Sequence, residues 1–168
     1  MLFSSIVLLI FPVLMVFAAS SDLFTMRISN LLVLMLVVGF FIVALITQMP
    51  VDLILTNMGC AVVVLVVAFA FFAFGWIGGG DAKLAAATTL WLGLGLILPY
   101  VVYSGLLGGA LTLIILGYRN LPLPGAVQRI KWLDRLHHKQ EGVPYGIALA
   151  IAALLVYPQT TIFRHFLV

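Results

Sequence analysis

Six runs of apolar residues, separated by short polar segments, dominate the chain. None of them shows the strict alternation of apolar and polar positions that is typical of a half-buried strand. Helices are the default for apolar segments in lipid, because they satisfy every backbone hydrogen bond internally. We therefore predict an all-α fold, a bundle of about six transmembrane helices. The runs are residues 2–19, 31–46, 53–74, 84–98, 101–116 and 146–157.

The fourth and fifth runs are predicted to be separate helices, joined by a loop at Pro99-Tyr100. Proline removes a backbone donor and disfavours the helical region for the residue before it. Gly93 and Gly95 weaken a continuous helix further.

The distribution of basic residues supports six crossings. They place seven Lys and Arg residues on one side of the membrane and only Arg164 on the other, and such a bias marks the cytoplasmic side. Both termini are then expected on the opposite side.

Composition supports a membrane protein over a soluble one. Hydrophobic residues make up 65% of the 168 residues and charged residues 8%, against about 45–50% and about 25% in soluble domains. We predict a single membrane-embedded domain over residues 1–168. The net charge of +3 does not indicate nucleic-acid binding, because the charges lie in loops between apolar runs. No oligomeric state is predicted.

The first run is expected to be a retained helix and not a cleaved signal peptide. A secretory signal begins with positive residues, whereas the first basic residue here is Arg27, after the run. Cys60 is the single cysteine. It therefore forms no internal disulfide and no Cys-x-x-Cys pair, and we expect a plain buried helix residue.

The segment 118–144 is predicted to be a long cytoplasmic loop with an amphipathic helix over residues 126–138. Val127, Ile130, Leu133 and Leu136 recur at every third position and suit one face of a short helix. The basic residues would face water or lipid headgroups, as in a helix that lies on the membrane surface. A solvated basic linker is the alternative. The basic residues are Arg129, Lys131, Arg135 and Lys139.

Two of the five acidic residues are candidates for chemistry. Asp52 is expected to be solvated in a short loop, and Asp134 and Glu141 to be solvated or ion-paired in the long polar loop. Asp22 is expected to follow the first helix and Asp81 precedes the fourth apolar run, so the predicted topology places both at the cytoplasmic margin. Ionisable groups at such positions in membrane proteins tend to be paired or functional.

Two carboxyl groups in a poorly solvated site do not both ionise easily, so one of them keeps a proton. The pair then offers a general base to activate water and a general acid to protonate a leaving group. The alternative is that both aspartates cap helices, for which Asp is well suited. Glycines before Asp81 favour the catalytic interpretation, because bare backbone lets a substrate peptide approach. An anion-binding nest is less consistent, since the segment lacks a Walker A pattern.

Three segments of the chain resemble motifs of one enzyme family, the type IV prepilin peptidases. The segment Gly78-x-Gly80-Asp81 resembles that family's Gly-x-Gly-Asp motif. Residues 22–30, Asp-x4-Arg-Ile-Ser-Asn, resemble its first aspartate motif, Asp-x4-Arg-Ile-Pro-Asn, with Ser29 in place of the proline. Residues 143–148, Val-Pro-Tyr-Gly-Ile-Ala, are similar to the Pro-Tyr-Gly segment that opens its last helix. The three motifs occur in order and extend over nearly the whole chain.

The resemblance implies an A24-type aspartyl peptidase that needs no metal or cofactor. Such enzymes cleave the short basic leader of prepilin-like proteins at the cytoplasmic face of the bacterial inner membrane. Asp22 and Asp81 would be the catalytic pair. Longer members carry paired Cys-x-x-Cys motifs and also methylate the new N-terminus. With one cysteine, this chain is expected not to methylate, and it is similar to the short TadV/CpaA-like peptidases of tight-adherence (Flp) pilus systems.

The remaining motif residues are candidates for shaping the site or the approach of the substrate. Lys83 would either bias the ionisation of the aspartates or extend to the membrane interface. Arg27 would act in the motif or only mark the cytoplasmic side, and Asn30 would order the first motif loop or cap the second helix. His137 and His138 are expected on the surface. The candidates are Gly78, Gly80, Lys83, Arg27, Asn30, Pro144 and Tyr145.

Two other classes of function compete with a peptidase. A small transporter or channel component would use intramembrane carboxyl groups to carry protons or bind cations. It would show ion-dependent flux in liposomes and no cleavage of a leader. A structural membrane subunit would tolerate replacement of both aspartates.

Overall fold

The computed structural model describes residues 2–122, 124 and 129–166 of the chain. Within these residues the fold contains helices and no strand, which confirms the predicted all-α class. Eight α-helices are present among them, and each of the six predicted apolar runs contributes one of the helices α1–α5 and α7. The helices are α1 Leu2–Thr25, α2 Asn30–Ile46, α3 Val51–Ala73, α4 Gly79–Leu92, α5 Ile97–Arg119, α6 Lys131–His137, α7 Gly146–Val156 and α8 Thr161–His165.

The helices differ in length and in exposure. Three segments are long and apolar enough to cross a membrane, and they are residues 6–25, 51–73 and 94–119. Helix α2 and the segment Gly146–Gln159 are shorter and also apolar. Many large apolar side chains remain on the outer surface, such as Leu55, Phe69 and Leu106. A soluble domain rarely exposes so much contiguous apolar area, and this arrangement is that of a polytopic membrane protein.

Helix α4 lies at the centre of the bundle, because its side chains are small. It packs against α2, α3 and α7, and most of its residues from Ala82 to Leu92 are buried. Alanines and threonines let neighbouring helices approach closely. Polar groups tie the helix at its far end, where the Trp91 indole donates to the Leu36 carbonyl at 3.0 Å and the Asn57 amide donates to the Leu90 carbonyl at 3.1 Å.

The break between the fourth and fifth helices is real, but the predicted loop at Pro99-Tyr100 is wrong. Helix α4 ends at Leu92, and Gly93 adopts a φ of +73°, a left-handed conformation that favours glycine. A 3-10 turn covers Leu94–Leu96, and α5 begins at Ile97. Pro99 therefore lies in the first turn of α5, where its missing N–H would have no helical partner in any case.

The prediction that Asp22 follows the first helix is also wrong. Helix α1 continues to Thr25 and contains Asp22, and it ends where Met26 turns to a φ of 53°. Its last carbonyls are not left unpaired, because the Arg135 guanidinium donates to the carbonyls of Leu23 at 3.2 Å and of Phe24 at 2.6 Å. A cation at a helix C-terminus also interacts favourably with the helix dipole.

The loops after α1, α3 and α5 lie together at one end of the bundle, which we call the aspartate end. They comprise residues 26–29, 74–78 and the segment from 120 to 145, of which residue 123 and residues 125–128 are not described. The Arg119 guanidinium binds this long segment by donating to the carbonyls of Leu136, Glu141 and Gly142. The segment is therefore folded onto the bundle by hydrogen bonds from α5.

The predicted amphipathic helix is shorter than expected. Helix α6 begins at Lys131, so Ile130 precedes it, while residues 126–128 lie outside the described part of the chain. Leu136 is buried, as the pattern predicts. The expectation that Arg135 faces water or headgroups is wrong, because its guanidinium reaches the end of α1.

Candidate active site

A polar pocket of about 720 Å³ opens at the aspartate end. It lies between the end of α1, the start of α2 and the start of α4. Both candidate carboxyl groups, Asp22 and Asp81, line this pocket, although 58 residues separate them in the sequence. The candidates Arg27, Asn30 and the glycines before Asp81 also line it. The full lining is residues 21–22, 25–30 and 78–81.

Asp22 is the more deeply buried of the two carboxyl groups, with 5% of its surface exposed. Its Oδ2 atom accepts a hydrogen bond of 2.7 Å from the backbone N–H of Gly146. A side chain at position 146 would be obstructed, because a Cβ there would lie 2.8 Å from Asp22 Oδ2 and 2.9 Å from Ile28 Cδ1. The first residue of α7 therefore holds Asp22 in place.

Asp81 lies in the first turn of α4 and is half-buried. Burial, and to a smaller extent the charge of Asp22, raise the pKa of Asp81 from an ordinary 3.8 to about 7. A hydrogen bond from the backbone N–H of Gly78 acts in the opposite direction. The influence of Asp22 on this pKa shows that the two carboxyl groups are electrostatic neighbours.

The geometry does not support the alternative that both aspartates serve as N-caps. Asp22 lies in the last turn of α1, at the end where a carboxylate is unfavourable to the helix dipole. The N-cap of α4 is Gly78, so Asp81 lies three residues beyond the cap. From there its carboxyl lies near the N–H of the N-cap residue, in the position of a capping box. Asp81 therefore contributes to the start of α4 in addition to lining the pocket.

Several contacts bind the two aspartate segments to each other. The Lys83 ammonium donates to Asn30 Oδ1 at 2.9 Å. A Cβ at Gly80 would lie 3.2 Å from Ile28 Cβ, so the glycine allows the two segments to approach closely. Ser29 caps α2, since its hydroxyl accepts from the Leu32 N–H at 3.2 Å. The residue in the position of the family's proline thus begins the helix by a hydrogen bond, and Asn30 does not act as the cap.

A model of the type IV leader peptidase family matches residues 9–113. The match covers more than half of the chain and includes both aspartate segments. The chain belongs to the type IV leader peptidase family. It is therefore a protease of the leader-peptidase kind. No match to it was found among curated proteins or among solved structures.

The third motif of this leader peptidase lies beyond the matched residues but reaches the same site. Pro144 is buried, and Tyr145 is the N-cap residue of α7. The Tyr145 hydroxyl donates to the Ser104 carbonyl at 3.3 Å. Its ring packs on Gly108 of α5, where a Cβ would overlap the ring. These contacts set the position of Gly146, whose N–H binds Asp22.

Two residues of the leader peptidase touch the site without having been predicted to do so from the sequence. Arg135 binds the end of α1 and places its positive charge beside Asp22. The Gly146 N–H binds Asp22 directly. The contact of Gly146 could have been suspected from the sequence, because a glycine in the Pro-Tyr-Gly segment indicates close packing at that position. No sequence pattern predicted the role of Arg135, because its position on the helix indicates an exposed side chain. Its guanidinium turns toward the end of α1 only through a tertiary contact.

The other polar candidates lie outside the pocket. Asp52 is exposed in the first turn of α3, and Asp134 pairs with His138 at 3.5 Å. Glu141 is exposed, and Cys60 is buried as a free thiol in α3. Within the described ranges, no group of three or more His, Cys, Asp or Glu side chains is arranged to hold a metal ion.

Proposed function

We propose that the chain is an aspartic endopeptidase that removes the leader peptide of prepilin-like proteins, with Asp22 and Asp81 as the catalytic pair. The observation that carries the proposal is the pocket at the aspartate end, where two carboxyl groups from distant segments share one polar cavity. The family supplies the leader-peptidase activity. The two aspartates offer a general base and a general acid for the hydrolysis of a peptide bond.

The surroundings of the two carboxyl groups suggest a division of roles. Burial opposes the charge on Asp81. The Asp22 carboxyl accepts the N–H of Gly146, and the Arg135 guanidinium binds the end of the same helix. Asp81, with a pKa raised to about 7, retains a proton at slightly acidic pH. In this proposal Asp22 is the general base and Asp81 is the general acid.

The proposed reaction is a direct attack of water on the scissile peptide bond. Asp22 takes a proton from the water as its oxygen adds to the carbonyl carbon, and Asp81 gives its proton to the carbonyl oxygen. The tetrahedral intermediate then collapses and the C–N bond breaks. Asp22 gives its proton to the leaving nitrogen, and Asp81 takes a proton back from a hydroxyl of the intermediate, which restores both carboxyl groups. The products are the leader with a new carboxyl group and the mature protein with a new amino group.

The location of the site follows from the charges around it. Seven of the eight Lys and Arg residues belong to the loops and helix ends of the aspartate end, and Arg164 belongs to the other. Such an excess marks the cytoplasmic side. We therefore place the pocket at the cytoplasmic face of the bacterial inner membrane, in a multi-pass protein whose apolar substrate stem shares the lipid bilayer.

The proposal covers hydrolysis and does not include N-methylation, since this sequence contains one cysteine and no Cys-x-x-Cys pair. Prepilin-like proteins of tight-adherence (Flp) pilus systems are the first substrates to try, in keeping with the TadV/CpaA-like pattern of the chain. Mass spectrometry of the mature N-terminus separates a free amine from a methylated one.

The test is co-expression with each prepilin-like protein of the same genome, carrying a C-terminal tag. Wild type should release the leader, whereas Asp22→Asn and Asp81→Asn should leave the precursor intact while inserting normally. Asp52→Asn is the matched control, because that carboxyl is exposed and outside the pocket. Full cleavage by either inserted variant contradicts the catalytic pair. Purified enzyme should cleave equally with EDTA, and loss of cleavage in chelator would contradict the carboxyl mechanism.

A further inference from the structure

An apolar groove of about 420 Å³ runs along the bundle between α3 and α5. Its walls carry Val63, Val67 and Phe71 from α3 and Ile97 and Val101 from α5. Its floor is formed by α4 and α7, which contribute Ala85, Thr89 and Leu149. Its walls and floor are mainly apolar, so the groove suits an apolar segment that enters from the lipid.

One end of the groove lies beside the pocket at the aspartate end. Ile77 lines the groove and directly precedes Gly78, which lines the pocket. Tyr145 lines the groove and directly precedes Gly146, whose N–H binds Asp22. Burial first, and the charge of Asp81 second, raise the pKa of Tyr145. A segment lying in the groove would therefore have one end close to the two carboxyl groups.

Two buried hydroxyl groups line this groove and lack hydrogen-bond partners among the described residues. They belong to Tyr100, which is 2% exposed, and Ser104, which is 6% exposed. The hydroxyls of Thr88 and Ser104 lie beside the Tyr100 hydroxyl, but none of these contacts has the geometry of a full hydrogen bond. Buried hydroxyl groups without a partner are unfavourable, so their presence points to an acceptor that arrives with a ligand.

A leader peptidase creates a need for such donors in its substrate. A peptide bond inside a helix is shielded, and the chain must unwind locally before water can attack it. Unwinding frees backbone carbonyls, and in an apolar environment each freed carbonyl requires a new donor. The residues that carry the two hydroxyl groups line the groove, and each hydroxyl would turn toward the substrate backbone to donate to it.

We infer that the groove between α3 and α5 receives the apolar stem of the substrate, the stretch that follows the scissile bond, and that the hydroxyls of Tyr100 and Ser104 donate to its unwound backbone. This inference rests on the proposed function and extends it by assigning the surface that binds the substrate. A lipid acyl chain and a second copy of this chain are the competing occupants.

Glycines of α5 provide a matched pair of variants. Gly105 lines the groove, and a Cβ there meets no atom within 4 Å, so Gly105→Phe adds a large side chain that starts in open space and occupies the groove. Gly117 is equally open, lies on the same helix and is outside the groove lining. Gly105→Phe should strongly reduce cleavage of a stem-bearing prepilin-like protein. Gly117→Phe should leave cleavage unchanged.

The hydroxyl groups are tested by Tyr100→Phe combined with Ser104→Ala. Loss of their hydrogen bonds should raise KM for the stem-bearing substrate about tenfold and leave kcat nearly unchanged. A soluble peptide that contains the leader and the cleavage site but no stem should be cleaved equally by wild type and by both groove variants. Equal loss for the peptide and the full substrate would overturn the inference, because it would indicate damage to the site itself.

The occupant is identified by crosslinking in an Asp81→Asn background, where the substrate persists. A benzophenone amino acid at position 105 should crosslink to the stem of the co-expressed substrate, and one at position 117 should not. Crosslinks only to lipid or to a second copy would overturn the inference. If wild type cleaves its substrate and Gly105→Phe does so equally well, the inference fails while the proposed function stands. If wild type cleaves no prepilin-like protein, both fail.

Discussion

The two aspartate segments bring the same side chain to one pocket by opposite means. Asp22 lies near the end of a 24-residue helix and is almost fully buried. Asp81 lies at the start of a 14-residue helix and is half-buried. Asp22 is held by a distant backbone donor on α7, whereas Asp81 is held by Gly78, three residues before it.

The difference indicates that one carboxyl group depends on tertiary structure and the other on local structure. The position of Asp22 requires α7, and Arg135 of α6 supports the end of α1. Asp81 keeps its contact as long as the first turn of α4 forms. We therefore expect changes in α7 to act first on Asp22 and changes in the glycine run to act first on Asp81. The following variants test this asymmetry.

The largest effect is expected from Gly146→Val. Its Cβ would lie 2.8 Å from Asp22 Oδ2 and 2.9 Å from Ile28 Cδ1, so Asp22 must move. A displacement of about 1 Å in a catalytic group can lower the rate about 100-fold. Gly78→Val should cost less, because its Cβ meets the Asp81 carboxyl alone, whereas the Cβ at position 146 is also obstructed by Ile28. The measurement is the initial rate of leader cleavage by purified enzyme.

Gly142→Val is the control for this comparison, since position 142 is open and a Cβ there meets no atom within 4 Å. It should cleave at the wild-type rate. If Gly78→Val loses as much activity as Gly146→Val, the two segments respond alike and the proposed asymmetry is wrong.

A smaller effect is expected on stability, and it depends on pH. An acid whose pKa is higher in the folded state binds its proton more tightly there, so stability falls as the pH rises through that range. For Asp81 the range extends from 3.8 to about 7. Asp81→Asn cannot lose stability in this way, because its side chain does not ionise. The melting temperature of the variant minus that of wild type should therefore be larger at pH 8 than at pH 5. Thermal unfolding in detergent measures both temperatures.

The matched control is Asp52→Asn, which replaces an exposed carboxyl in the first turn of α3. Its melting temperature should differ from wild type by the same small amount at both pH values. A constant difference for Asp81→Asn as well would show that Asp81 is not the group responsible for the pH dependence.

The smallest effect is expected from Ser29→Ala. The variant removes the hydroxyl that accepts the Leu32 N–H at the start of α2, and loss of an N-cap costs about 1 kcal/mol. Ser29→Pro should recover part of this stability by fixing the backbone at the helix start. Both are measured by chemical unfolding in micelles. An unchanged free energy of unfolding for Ser29→Ala would mean that α2 begins without help from its cap.

Hydrophobic patterning was sufficient to predict the helices of the bundle, because long apolar runs leave little choice of structure in lipid. It did not predict where two of them end. Asp22 and the serines before it are typical of a helix terminus, yet α1 continues because Gly146 and Arg135 supply partners from distant segments. Pro99 is typical of a break, yet Gly93 provides the break instead. In both cases a tertiary or conformational detail outweighed local propensity.

The sequence was sufficient to predict that Asp22 and Asp81 lie in one pocket, because the predicted topology placed both at one margin of the membrane. The residues that contact these two aspartate segments were harder to predict from the sequence. The contact between Lys83 and Asn30 joins residues 53 positions apart, and no spacing rule predicts it. The donor to Asp22 is a backbone N–H, which carries no signature in the residue type beyond the need for glycine at position 146.

The shortness of α7 has a consequence for the surrounding lipid. With 11 residues and a rise of about 1.5 Å per residue, α7 is about 16 Å long, roughly half of a hydrocarbon core about 30 Å thick. The resulting hydrophobic mismatch favours local thinning of the bilayer beside this helix. Thinning would bring headgroups and bulk water nearer to Gly146, so hydrolysis should slow as the acyl chains of the host membrane lengthen.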